Sequence, residues 1–306
     1  MAGPRLRSYS RIGDDVAVFP AGKGKVVLKT DMLVEHTDVP LGMTFRQAAR
    51  KTVAMCVSDF AAKGVRPDSF MVSIGLREGV SQKEVDELAM GLRDAEREWG
   101  VHLVGGDTNE SKELVIDCAM VGFSERVVPR GGAKPGDILV VTGPFGYQPA
   151  GLRVLGGNAK SSARFGRTAK KSVLVPTPNL NAGLALAPFL SSAMDSSDGL
   201  ARSIHALAKE SGVGFELHDL PVGEGVEKFA ADNGLDPSKL VLEGGEEYLI
   251  VGTVKRSRLR AASAAASSSG AQLLAIGSAN ESRGQVTLKQ GGRTRTIRDY
   301  GWTHLR

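Results

Sequence analysis

At 306 residues, 42% apolar and 24% charged, the chain has the make-up of a soluble globular protein long enough for two domains. No apolar run approaches the roughly 18–20 residues of a membrane span, and "MAGPRLRSYSRIGDD" lacks the apolar core of a signal peptide. The net charge of +5 suits anionic ligands such as phosphates, while scattered basic residues and 5% aromatics argue against nucleic acid.

Short β-rich runs alternate with amphipathic helices. "KVVLKTDML" from Lys25 reads as a strand. Thr44 and Gln47 form a capping box opening a helix that runs to about Lys63, where Gly64 gives a left-handed stop with Pro67 beyond. "MVSIGL" (Met71 to Leu76) is a second strand. Ser81 and Glu84 cap a helix whose Val85, Leu88, Leu92, Ala95 and Trp99 share one face until Gly100. "VHLVGGDTNE" is expected to be a strand entering a glycine turn that ends in Asp107. "ELVIDCAMVGF" (Glu113 to Phe123) is a buried or half-buried strand.

The Gly/Pro-dense "PRGGAKPGD" (Pro129 to Asp137) marks a boundary, giving domains 1–128 and 129–306. The strand "ILVVTG" follows. "NAKSSARFGRTAKKS" (Asn158 to Ser172) is expected to be a solvated basic loop. "MDSSDGLARSIHALAKESG" is a turn feeding a helix with Leu200, Ile204, Leu207 and Ala208 on its buried face, capped by Gly212. "KLVLEGGEEYLIVGTV" holds two apolar runs around a Gly-Gly turn, and the Ala/Ser run Ala261 to Ser269 favours helix. The fold class is α/β (α+β), in two halves. Cys56 and Cys118 have no metal-type spacing and read as buried free thiols of a reducing cytoplasm, and five scattered histidines give no zinc pattern.

The chemistry lies in the aspartates. Asp59 stands in an Ala-rich helical stretch just before its last turn, a poor place for a carboxylate both by propensity and by the helix dipole. Alone it reads as a solvated surface group. Asp15 in "IGDD", Asp31 in "KTDML", Asp107 in "VGGDTN", and Asp195 and Asp198 in "MDSSDGL" stand at turns or strand ends, where single carboxylates serve as turn or cap residues. Together, five segments offering carboxylates beside small residues suit Mg²⁺ bridged to a substrate's phosphates. There is no P-loop "GxxxxGK[ST]" and no "HRD…DFG" set, so nucleotide chemistry would need a metal-rich acidic site instead of a Walker lysine.

The motifs "IGDD", "KTDMLVE", "VSDFAAKGVRP", "VGGDTN", "RGGAKPGDILVVTGPFG", "SSDGL", "GGEEY" and "GWTHL" resemble, in order and over nearly the whole chain, those of thiamine-monophosphate kinase. That family belongs to the aminoimidazole-ribonucleotide-synthetase-like ATP-binding superfamily. The resemblance implies a two-domain enzyme, dimeric through its N-terminal sheet, passing the γ-phosphate of ATP directly to thiamine monophosphate. Position by position it implies Asp15, Thr30, Asp31, Asp59, Asp107, Asp195 and Asp198 as Mg²⁺ ligands. Gly106, Asp107, Arg130 and Ser197 would serve ATP, and Glu246 and Trp302 the thiamine moiety. Where the bacterial pattern reads "VEGVHF", with a substrate-contacting His, this chain reads "VEHTDV", similar to the archaeal branch. Asp38 falls at the His position, with His36 two residues away.

Relatives in the superfamily fit less well. A selenophosphate synthetase should carry a reactive Cys near its N-terminus, and the hydrogenase-maturation relative a cysteine-bearing tail, whereas this chain ends "GWTHLR". The purine cyclo-ligase is a rival enzyme. A non-catalytic nucleotide or thiamine-phosphate sensor is a rival of another class, disfavoured because clustered charge without use is costly to keep folded.

Overall fold

The computed structural model describes residues 13–303, so Ile12 of the first motif and His304 and Leu305 of the last lie outside the described residues. The first half runs β1 (Ala17–Ala21), β2 (Gly24–Val34), α1 (Glu35–Asp38), α2 (Phe45–Lys63), β3 (Pro67–Arg77), α3 (Gln82–Trp99), β4 (His102–Ser111) and β5 (Val115–Ser124). These strands form one sheet in the order β1-β2-β5-β3-β4. All pairs are antiparallel except β3 and β4, whose parallel pairing is allowed by the α3 crossover.

The second half contains β6 (Ile138–Val141), α4 (Tyr147–Leu155), α5 (Ala163–Leu174), α6 (Leu180–Leu186), β7 (Leu190–Asp195), α7 (Leu200–Ser211) and β8 (Gly214–Leu217). It continues through α8 (Val226–Asp232), α9 (Pro237–Glu243), β9 (Ile250–Val254), α10 (Leu259–Ser268), β10 (Leu274–Asn280), β11 (Val286–Gln290) and β12 (Arg293–Thr296). Its sheet has the order β12-β11-β8-β10-β6-β9-β7, with β8 and β11 parallel. Two mixed sheets with helices make an α/β fold of two domains. Among the described residues no helix is long and apolar enough to cross a membrane.

Helix α2 joins the halves. It packs on β2 and β5 of its own sheet and on β7, β9 and α6 of the other half. One apolar cluster therefore runs from Val27, Phe60 and Met120 to Leu186, Ala193 and Val254. Both expected capping boxes are present, with Thr44 accepting from the Gln47 amide and Ser81 from the Glu84 amide. Gly64 ends α2 at φ 63°, where a Cβ would also strike Ala187.

Two segments depart from the sequence reading. The expected glycine turn before Asp107 is continuous strand: Gly105 and Gly106 pair with Met71 and Val72 just past a register shift in β3–β4. A Cβ on Gly106 would lie 2.3 Å from the Val72 carbonyl oxygen, so glycine here serves close strand approach and not chain reversal. The basic segment is not a loop. Ser162 caps α5, and Gly166, Ala169 and Val173 turn inward while the cations stay in water, an amphipathic period masked by the charge. Of the two apolar runs around the Gly-Gly turn, the first is helix α9, with Pro237 in its first turn, and the second is β9.

The outer face of the first sheet is bare. Leu28, Met71 and Val104 are exposed there and line a groove walled almost wholly by apolar groups, and Phe123 is exposed as well.

Candidate active site

One stripe of α2 builds the floor of the site. Lys51, Met55, Asp59 and Lys63 recur at four-residue spacing and so share a face, turned toward the junction of the domains. Asp59 is only 4% exposed, which overturns its reading as a solvated surface group. Lys51 and Lys63 are fully buried, which for lysine demands bonded partners.

Asp59 meets Asp15, from the chain before β1, and Asp195, from the end of β7. All three are buried, and one oxygen from each lies within 4.8 Å of the others. Cations surround them. Lys29 Nζ, from β2, is 2.8 Å from Asp59 Oδ2 and 3.2 Å from Asp31 Oδ1. Lys63 Nζ is 2.6 Å from both Asp14 and Asp15 and donates to the Ala193 carbonyl at 2.9 Å. Arg130, in the boundary segment, donates to Asp15 and to the Gly13 carbonyl. Ser58 Oγ donates to Asp195 at 2.7 Å.

These surroundings sort the acids. Burial, then the Asp195 charge, push the Asp59 carboxyl well above the usual range. Asp195 is pushed up to about 7 by burial and then by Asp15. Asp31 is raised by burial, although Lys29 opposes the shift. Burial also acts against ionised Asp15, but Lys63 and Arg130 overcome it and hold that carboxyl low. The floor is therefore short of positive charge.

Above the floor opens a cavity of about 700 Å³. Asp31 lines it and so joins the two compartments, and Asp38, Ser197, Asp198, Glu246 and Trp302 line it as well. Met55, Tyr248 and Tyr300 complete an aromatic and thioether rim. The loop carrying Glu246 bonds to the loop carrying Ser197: the Glu246 amide donates to the Ser197 carbonyl at 2.6 Å and the Tyr248 amide to Ser196 at 3.0 Å. Glu246 and Tyr248 hold left-handed φ values of 60° and 52°, strain that the surrounding structure must enforce. The Trp302 amide donates to the Asp198 carbonyl at 2.9 Å, which sets the tail against the cavity.

Within one chain the expected residues do not all converge. Thr30 is turned to the outer face of the sheet, where it donates to Asp117 at 2.8 Å. Asp107 pairs in register with Ser73 on the edge strand, on the same outer face as exposed Met71. Gly106 lies beside it, with β5 and β3 between its strand and β2. His36 binds Glu113 at 2.9 Å and does not line the cavity, whereas Asp38 does.

Sequence reasoning named Arg130 but missed Lys29, Lys51 and Lys63, and the rim of Met55, Tyr248 and Tyr300. Lys29 sits two residues before Asp31 and so on the same face of β2, and Lys51 and Lys63 flank Asp59 at multiples of four. Both spacings were available as signals. Tyr248 and Tyr300 carried no signal beyond their neighbours.

Comparison with known proteins agrees with this geometry. Residues 13–124 match the N-terminal domain, and residues 134–289 the C-terminal domain, of the AIR synthase related proteins. A thiamine-monophosphate kinase of Nitrosopumilus maritimus is 38% identical over 96% of this chain and 93% of its own length. One from Pyrococcus horikoshii is 32% identical over 96% and 91%. The solved structure of AaThiL complexed with AMPPCP and TMP superposes with a TM-score of 0.86 at 27% identity, covering 96% of this chain and 92% of that one. The chain therefore belongs to the AIR synthase related family, and within it to the thiamine-monophosphate kinases.

Proposed function

We propose that this chain transfers the γ-phosphoryl group of ATP to the phosphate of thiamine monophosphate, giving thiamine diphosphate and ADP. The observation that carries the reading is the junction of two unlike compartments through Asp31. One holds the clustered carboxylates of Asp15, Asp59 and Asp195. The other is a cavity walled by Glu246, Tyr248, Tyr300 and Trp302. The names of the relatives, and the nucleotide analogue and TMP held by the AaThiL structure, support the same assignment.

The floor fits Mg²⁺, because its donors are all oxygens and the carboxylates of Asp15, Asp31, Asp59 and Asp195 outnumber the cations Lys29, Lys63 and Arg130 that contact them. Asp15, Asp31, Asp59 and Asp195 would hold it, with Asp198 on the cavity side. Bound there, Mg²⁺ would neutralise the negative charge of the phosphate groups. Arg130 and Ser197 would contact ATP. Thr30, Gly106 and Asp107 would serve the same site only across a two-fold pairing of the bare sheet face, which supports a homodimer.

In the transfer, an anionic oxygen of the acceptor phosphate forms the new P–O bond as the β,γ-bridging bond breaks and ADP leaves. The acceptor needs no base, so the protein's task is positioning and exclusion of water. Trp302 would stack on the cationic thiazolium, and Glu246 and Asp38 would orient the thiamine moiety. Residues 1–128 would carry most of the metal ligands and the dimer contact, and residues 129–306 would add Arg130, Asp195, Ser197 and Asp198 and complete the acceptor site. The test is ADP formation that requires thiamine monophosphate, is not supported by thiamine, and is lost in Asp59→Asn. ADP release indifferent to the acceptor would overturn the reading.

A further inference from the structure

Lys51, on the α2 stripe, has no part in the scheme above. Its side chain is fully buried, and it does not line the cavity. Its ammonium reaches both walls: Nζ is 2.6 Å from Glu246 Oε1 and donates to the Asp38 carbonyl at 2.8 Å. One partner closes α1 in the first domain, and the other stands in the loop before β9 in the second. Tyr248 Oη also donates to Glu246 Oε1, at 3.4 Å. Two groups thus fix the carboxylate of a residue whose own backbone sits at φ 60°. Such a conformation persists only when its surroundings over-determine it.

We propose that Lys51 is a positioning residue for the acceptor: it sets the distance and angle between Asp38 and Glu246, and so the fit of the cationic, amino-bearing ring system between them. This rests on the reading of the cavity as the acceptor site. Lys51 does not line the cavity, and its polar partners, Asp38 and Glu246, are not among the carboxylates assigned to nucleotide and metal. Its loss should therefore weaken acceptor binding and leave the nucleotide side alone. A merely structural strut would lower stability and move all constants together or none.

The experiment is steady-state kinetics of the full-length chain carrying Lys51→Met, with both substrates varied. The KM for thiamine monophosphate should rise about tenfold or more, as expected for freeing one partner of a close charge pair. The KM for ATP should stay within about twofold and kcat within about threefold. Glu246→Gln should raise the same constant, and the double variant should be less impaired than the two single effects combined, because the changes share the Lys51–Glu246 contact. If Lys51→Met is too unstable to assay, Lys51→Gln, which keeps a donor toward Asp38, is read in the same way. An unchanged acceptor KM over an active wild type overturns this inference alone, as do constants that shift together. A wild-type chain that neither binds nor phosphorylates thiamine monophosphate overturns the acceptor-site reading as well.

Discussion

Thr30 and Asp31 are neighbours in the chain and point to opposite faces of one sheet: Asp31 toward Lys29 and the interior, Thr30 toward Asp117 and the bare outer face. Strand alternation makes this unavoidable. A site that uses both residues needs something to cover the outer face.

That something is expected to be a second copy. Met71, Phe123, Leu28 and Val104 leave an apolar surface on a sheet whose edge strand carries Asp107. Sedimentation at micromolar concentration should find a dimer. Met71→Glu should give a monomer with most activity lost, while circular dichroism stays unchanged. A fully active monomer would show that Thr30 and Asp107 have no part in catalysis.

Asp59→Asn should remove most turnover yet leave the metal-free protein as stable as the parent or more so. In the fold the neutral form of this acid is already favoured, because burial and the Asp195 charge act against ionisation. Turnover and melting temperature in chelator together check this. Wild-type turnover in the variant would contradict a metal-holding role.

Asp195 makes the metal-free protein sensitive to pH. Its carboxyl is raised from 3.8 to about 7, so the folded state binds the proton more tightly than the unfolded chain does. Stability from this group is complete below the unfolded value and is lost as pH rises toward about 7. Glu247, raised from 4.5 to about 7 by burial against the amide donors at the start of α4, acts with the same sign. The low carboxyl of Asp15 acts oppositely, but only near and below pH 4. In chelator the melting temperature should fall between pH 5 and 8, and Mg²⁺ should restore it at pH 8. Asp195→Asn should flatten the slope, and an equally steep fall in that variant would exonerate Asp195.

No phosphorylated enzyme is expected. Among the described residues, His36, His102, His205 and His218 all lie outside the cavity lining, and His36, His205 and His218 are occupied by Glu113, the Ile297 carbonyl and Glu216. Incubation with γ-labelled ATP alone should leave the protein unlabelled. An acid-labile phosphoprotein that passes its label to the acceptor would contradict direct transfer.

Trp302→Ala should raise the KM for thiamine monophosphate roughly two- to thirty-fold, from a cation–π contact of about 0.5–2 kcal/mol. The KM for ATP should hardly move, and Trp302→Phe should recover part of the loss. Half of the Trp302 surface is exposed, which suits a ligand-facing indole better than an anchor sunk in the core. A sharp drop in melting temperature with an unchanged acceptor constant would restore the anchor role.

Helices α2 and α3 were legible because their signals are local, whereas the charge of α5 masked its amphipathic period. Thr44, Ser81 and the glycines that end α2 and α3 act through bonds within a few residues. The aspartates were legible as a set because chemistry needs that residue type. Their partition was not. Whether Asp107 and Thr30 meet Asp59 depends on strand order and face, and strand order is a long-range property. The lysines were hidden for another reason. A lysine in a helix reads as solvated by default, and only the docking of α2 between two domains makes Lys51 and Lys63 interior residues. The glycines before Asp107 misled because close strand approach and chain reversal select the same residue.

The most direct test of the central claim is phosphorus NMR of the full-length chain with ATP, Mg²⁺ and thiamine monophosphate. The account predicts that the two resonances of thiamine diphosphate appear in step with ADP, mole for mole, as the acceptor signal declines. ADP and free inorganic phosphate accumulating with thiamine monophosphate left intact would contradict it.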